Sequence, residues 1–125
     1  MKTTFDLTSD LKDRIEEGMK QDGYGVKQKS AWICEAIIAL HRHDPTYARV
    51  GLGEGLEKFN TKMGVTLTAV AAEEIKKAKS IIRREDPESE GLAGQIIRAS
   101  IRSRLLQSGD RTGLQIPSKP KRAKG

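Results

Sequence analysis

Lys2-Thr3-Thr4-Phe5-Asp6-Leu7-Thr8, read beside Lys62-Met63-Gly64-Val65-Thr66-Leu67-Thr68, decides the fold. A shift of 60 residues lays one stretch on the other, and in both of them apolar residues alternate with small polar ones. Alternation with a period of two is the pattern of a strand with one face buried. Phe5 and Leu7, then Val65 and Leu67, form the expected inner face. The outer face is then Thr4, Asp6 and Thr8, followed by Gly64, Thr66 and Thr68.

Helical spacing follows each strand. Leu11, Ile15 and Met19 mark an amphipathic helix in the first half, and Ala71, Ile75, Ala78 and Ile82 mark one in the second. Thr8 and Ser9 are suited to cap the first helix, Asp10 and Asp13 suit its positive end, and Gly23 or Gly25 can close it. Glu73 and Glu74 are expected to play the dipole role in the second helix, which must stop near Pro87. A further helix is predicted in each half, on Ile33, Ala36, Ile37 and Leu40 and on Ile96, Ile97, Ala99, Ile101 and Leu105. These last helices align at a shift of 63, so the second turn is about three residues longer and contains Asp86-Pro87-Glu88-Ser89-Glu90.

The order strand, helix, helix therefore occurs twice. One such unit cannot bury its apolar faces alone, but two can pair their strands antiparallel and interlock four helices. The expected fold is mainly α with a short β-ribbon, two repeats in one chain making a pseudo-symmetric intramolecular dimer. The expected organisation is repeat one over 1–43, a linker over 44–61, repeat two over 62–109 and a disordered basic tail over 110–125. Gly51, Gly53 and Gly55 make the linker able to span tens of ångströms.

Charge and cysteine content narrow the function. The net charge is +6, but Arg111, Lys119, Lys121, Arg122 and Lys124 supply five positive charges in the tail, leaving 18 basic and 17 acidic residues over 1–110. An anion-binding face on the body must therefore come from local segregation of charge. Cys34 is the only cysteine, which excludes an intrachain disulfide and fits a small buried thiol in a reducing cytoplasm. No run of about 18 apolar residues is present, so a soluble, cytoplasmic protein without membrane contact is expected. Cys34 has no histidine at a spacing suited to nucleophilic work, and an enzyme is not expected. Gly51-Leu52-Gly53-Glu54-Gly55 lacks the Gly-Lys-Ser/Thr end of a phosphate loop and reads as linker. The His41-Arg42-His43 triplet has no nearby cysteine or paired carboxylate and reads as a helix end, so no metal and no cofactor are expected. Trp32 reads as a packing anchor.

A two-stranded ribbon fits the major groove of B-DNA, where every base pair shows a distinguishable set of donors, acceptors and methyls. The chain resembles the ribbon-helix-helix family of MetJ/Arc-type DNA-binding proteins, β-ribbon readers of DNA. The resemblance rests on Thr4-Phe5-Asp6-Leu7-Thr8, the Leu11 and Ile15 spacing, the Gly23-Tyr24-Gly25 turn and Ser30-Ala31-Trp32-Ile33-Cys34-Glu35-Ala36-Ile37. It covers residues 2 to 42 closely and residues 62 to 106 more loosely, with Gly64 on the ribbon, Ala71 in place of Leu11 and Pro87 in the turn. Two copies in one chain are similar in arrangement to the tandem, TraY-type conjugation proteins of the family.

The resemblance implies that Thr4, Asp6, Thr8, Thr66 and Thr68 read bases. Thr hydroxyls can donate or accept and Thr methyls can touch thymine, whereas ionised Asp6 can only accept, which favours cytosine N4. Gly64 brings no side chain, so an asymmetric DNA site is expected. The family also anchors phosphate on backbone N–H groups at the start of the second helix, which implies Gln28, Lys29 and Ser30 in one half and Ser89, Glu90 and Gly91 in the other. Lys2 and Lys62 flank the ribbon and can reach the DNA backbone. The implied function is sequence-specific binding of double-stranded DNA, as a transcriptional regulator or a plasmid-transfer (relaxosome) accessory factor. The implied partners are DNA, further copies on DNA, and a protein such as a relaxase or polymerase. The alternative is an antitoxin-like interaction module that regulates its own promoter, its tail from Leu114 to Gly125 folding on a toxin; the tail's poverty in apolar anchors weighs against it. Single-stranded nucleic acid is disfavoured by the lack of stacking aromatics on the ribbon's outer face.

Overall fold

A computed structural model describes residues 1–88 and 91–107. The expected tail over 110–125 and the Ser89 and Glu90 anchors lie outside the described residues. The chain is mainly helical with one small antiparallel sheet: β1 (Lys2–Leu7), α1 (Ser9–Gln21), α2 (Lys29–His43), β2 (Thr61–Thr66), α3 (Ala69–Glu85) and α4 (Leu92–Gln107). Single 3-10 turns at Val26–Gln28 and Glu54–Leu56 precede α2 and β2.

The register pairs Lys2 with Thr66, Thr4 with Gly64, Phe5 with Met63, Asp6 with Lys62 and Leu7 with Thr61. Phe5, Leu7, Met63 and Val65 face the core, and Leu67 is buried just beyond β2. Met63 thus joins an inner face for which the alternation had named Val65 and Leu67. The sequence extended both outer faces to Thr8 and Thr68, but the strands end before them. Thr8 and Thr68 keep extended backbone angles and turn their hydroxyls onto the helices that follow, accepting from Leu11 N at 3.0 Å and Ala71 N at 3.1 Å. A hydroxyl that satisfies an orphan N–H of the first turn starts the helix and stops the strand. α3 carries no acid in its first turn, so the dipole role expected of Glu73 and Glu74 falls to the Thr68 cap.

α1 stops where the sequence allows it. Gly23 has φ of 81°, its N–H donates to Lys20 O at 3.0 Å, and Tyr24 N–H donates to Met19 O at 2.8 Å. This paired closure needs a left-handed residue at Gly23, which glycine takes without a Cβ clash. Gly18 serves a different need, because a Cβ there would lie 2.8 Å from Leu105 and 3.1 Å from Trp32. α1 can lie close to α2 and α4 only because that atom is missing.

α2 and α4 form the centre. α2 buries Trp32, Ile33, Cys34, Ala36, Ile37 and Leu40, while α4 buries Leu92, Ile96, Ile97, Ala99, Ser100, Ile101 and Leu105. Buried Ser100 is satisfied by donating to Ile96 O at 2.7 Å. Trp32 is fully buried and donates its indole N–H to Asp22 at 2.8 Å, which makes it a packing anchor at the end of α1. Arg104 of α4 closes the same corner, bonding Asp22 at 3.1 Å and the Trp32 carbonyl at 2.9 Å, with its guanidinium 4.7 Å from the Trp32 ring centre.

The segment between the halves is built into the fold. Tyr47 is buried at a left-handed φ of 57°, and the buried Asp44 carboxylate accepts from Ala48 N and Arg49 N. Glu54 and Arg98 are both buried and form a two-pronged ion pair, each contact 2.8 Å. Arg98 also donates to the Asp6 carbonyl at 2.7 Å and stacks its guanidinium 4.2 Å from the Phe59 ring centre. Arg102 adds bonds to Glu54 at 2.7 Å and Glu57 at 2.6 Å. One buried guanidinium thereby joins the connecting segment, β1 and α4. Burial opposes the Glu54 charge, but the bonds and charges of Arg98 and Arg102 prevail and hold its carboxyl below the usual value of 4.5.

Two outcomes follow for stability. Ile33 is fully buried, and Ile33→Asp should cost about 4 kcal/mol or more and abolish the helical circular dichroism signal at room temperature; a folded variant would show that the core is assigned wrongly. A carboxyl lowered by folding stabilises above its unfolded value and loses that contribution as it is protonated. The urea midpoint should therefore fall with acid below 4.5. Glu54→Gln should start about 3 kcal/mol lower at neutral pH, because Arg98 is left buried without its counter-charge, and should lose less on acidification.

Candidate nucleic-acid interface

The outward face of the ribbon carries Lys2, Thr4 and Asp6 from β1 and Lys62, Gly64 and Thr66 from β2, and all six are exposed. Side chains alternate across a strand, so burial of Phe5, Leu7, Met63 and Val65 on one side fixes these six on the other. The middle of the face is Thr4 opposite Gly64, leaving a threonine with no side chain across from it. One end holds Lys2 opposite Thr66. The other holds Asp6 opposite Lys62, with Lys62 Nζ 2.7 Å from Asp6 Oδ1. Asp6 is therefore locally neutralised by a lysine from the neighbouring strand, and the face offers hydroxyls, an ion pair at one end and the exposed Lys2 at the other.

The sequence had set Thr4, Asp6 and Thr8 against Gly64, Thr66 and Thr68 as equivalent positions. In the antiparallel register only Thr4 meets its own equivalent, while Asp6 meets Lys62 and Thr66 meets Lys2. Thr8 and Thr68 leave the face altogether for their capping roles. Lys62, expected to flank the ribbon, lies within β2 on the outward face.

The start of α2 abuts one end of this face. Ser30 Oγ accepts from Thr66 N at 2.9 Å, and the buried Cys34 Sγ donates to Thr66 O at 3.4 Å. Both polar backbone groups of Thr66 are thus held by α2, which puts Lys29 and Ser30 next to the end of β2. Gln28 is the N-cap residue of α2, and its side-chain carbonyl accepts from Gly25 N at 2.6 Å, so it stabilises the turn that precedes the helix. The opposite strand end is held differently, by the Arg98 bond to the Asp6 carbonyl. Gly91, at φ of 65°, accepts from Gln95 N at 3.2 Å as α4 begins.

Sequence reasoning missed Arg98, Arg102 and Glu54 as the braces of this platform. The signal in the sequence was weak: Arg98 and Arg102 lie one turn apart on α4, and Glu54 and Glu57 are two of the three acids between the halves, with Asp44. Among the described residues no group of three His, Cys, Asp or Glu side chains is arranged to hold a metal, and no helix is long and apolar enough to cross a membrane. No family model, no curated protein and no solved structure matches the chain.

The two kinds of threonine should separate in a stability measurement. Thr8→Ala and Thr68→Ala each remove a cap and should cost about 1 kcal/mol in urea unfolding. Thr4→Ala and Thr66→Ala, on the solvent side, should stay within about 0.5 kcal/mol of the wild type. Equal losses at all four positions would refute the division between caps and face.

Proposed function

We propose that the chain binds double-stranded DNA by laying the β1–β2 ribbon into the major groove, acting without catalysis as a transcriptional regulator or a plasmid-transfer accessory factor. On this reading the two halves are ribbon-helix-helix repeats that form an intramolecular pseudo-dimer. Its main support is the register. Thr4 and Gly64 are equivalent at the 60-residue shift and face each other near the middle of the ribbon. Strands related by a two-fold axis through their pairing must behave in this way. The caps Thr8 and Thr68 add support at the same shift. So do the buried pairs Ile33 and Ile96, Cys34 and Ile97, and Ala36 and Ala99 at a shift of 63.

The base-facing set then becomes Thr4, Asp6, Lys62 and Thr66, with Lys2 at the rim. Lysine donates to guanine O6 and N7, and threonine serves either a polar edge or a thymine methyl. Asp6 bonded to Lys62 orients that lysine and accepts from cytosine N4. The two ends of the ribbon differ, an ion pair against a lysine and a threonine, so the two half-sites should differ in sequence. On this reading Lys29 and Ser30, the latter bonded to Thr66 N, meet phosphate together with the N-terminus of α2. The antitoxin alternative depends on the tail, which lies outside the described residues.

Selection from a random duplex pool at about physiological salt tests the reading. The wild type should enrich a short, non-palindromic motif, and a folded Thr4→Ala, Thr66→Ala variant should lose or alter it. Enrichment of nothing by the wild type, or of one motif by both proteins, would remove the ribbon from the role of reader.

A further inference from the structure

The exposed faces of α1 and α3 are opposite in charge at three of four matching positions, the fourth pairing an acid with a serine. On α1, Asp10, Asp13, Glu17 and Lys20 are all exposed and lie on one helical face, separated by three, four and three residues. On α3, Glu73, Lys76, Ser80 and Arg83 are all exposed with the same three, four and three separations. Around them a shallow depression is lined by Lys76, Lys79, Ser80, Arg83 and Arg84. Set antiparallel, the two faces put Asp10 on Arg83, Asp13 on Ser80, Glu17 on Lys76 and Lys20 on Glu73. Glu16 and Lys77 fall opposite each other at the flank.

The match extends to the odd members of each row. The single base at the end of the α1 row, Lys20, meets the single acid at the start of the α3 row, Glu73. A parallel arrangement would instead set Asp10 against Glu73 and Lys20 against Arg83, two like-charge contacts. The antiparallel arrangement leaves Arg14 near Lys79, and Arg14 is already bound to Asp10 at 3.0 Å on its own helix. Each row runs over ten residue steps, about 15 Å of helix, so the four contacts can form together.

From this complementarity we propose that α1 of one copy docks antiparallel on α3 of a second copy of this chain. Every copy carries both faces, so the contact is either closed by a two-fold axis or repeated from copy to copy. Exposed ion pairs are individually weak and screened by salt. The association is therefore weak in free solution, strongest at low salt, and enhanced where copies are held side by side. It does not depend on the proposed DNA function and is measured without DNA.

Sedimentation velocity of the full chain is the test, at about 50 mM salt and again at about 500 mM, over a concentration series reaching about 0.5 mM. The wild type should show a sedimentation coefficient that rises with concentration at low salt only. Glu17→Lys and Lys76→Glu change exposed positions and should leave the circular dichroism spectrum unchanged, and each alone should weaken association at least tenfold. Mixed one to one, the two variants restore opposite charges at the 17–76 contact in both directions, and association should return. The same recovery is expected of the Glu17→Lys, Lys76→Glu double variant. A wild type that sediments as a single copy throughout, or single variants that associate as the wild type does, would overturn the proposal. So would a mixture that fails to recover. Binding of heparin reduced only by Lys76→Glu, with no self-association of the wild type, would assign the α3 face to polyanions instead.

Discussion

Pairing of residues 2–7 with residues 61–66 is the constraint on which the molecule is built. Neither six-residue strand is stable alone, and neither brings enough apolar surface to fold with its own helices. Once paired, they place Phe5, Leu7, Met63 and Val65 on one side as a floor for α2 and α4. A slip of one residue would turn that floor to water and bury Thr4, Asp6 and Lys62. The register therefore settles the core and the outward face together, and the chemistry of the face follows from the same alternation that makes the core.

The pairing joins segments far apart in sequence, so something must hold the intervening chain. Arg98 does so at the cost of burying a charge. Its guanidinium is matched by Glu54, capped by the Phe59 ring and turned onto the Asp6 carbonyl. A carbonyl at the end of a ribbon that has no third strand among the described residues needs a donor, and α4 supplies it. At Thr66, the corresponding position on the other strand, α2 supplies Ser30 and Cys34. The two ends of the ribbon are thus held by different chemistry, one ionic and buried, the other a hydroxyl and a thiol. This difference makes the platform asymmetric even where its backbone is regular.

Elements set by local periodicity were legible in the sequence. The alternation in β1 and β2, the spacing of Leu11, Ile15 and Met19, and the apolar faces of α2 and α4 all reappear as buried positions. So does Thr8 as a cap, because capping depends on the next three residues alone. Features that depend on distant partners were not legible. Glu54 reads as a linker acid until Arg98, 44 residues away, comes beside it. Lys62 reads as a flanking lysine until the register sets it opposite Asp6. Of the outward face, Thr4, Asp6 and Thr66 were visible from alternation. Thr8 and Thr68 were over-extended, since a period of two cannot say where a strand yields to a helix cap.

Nuclear magnetic resonance of the labelled full chain, titrated with a short mixed-sequence duplex, tests the central claim most directly. Occupation of the major groove by the ribbon predicts the largest amide shifts within residues 2–7 and 61–66, with a second group at Lys29 and Ser30 where α2 begins. Shifts confined to the exposed faces of α1 or α3, with the ribbon amides unmoved at saturation, would contradict it.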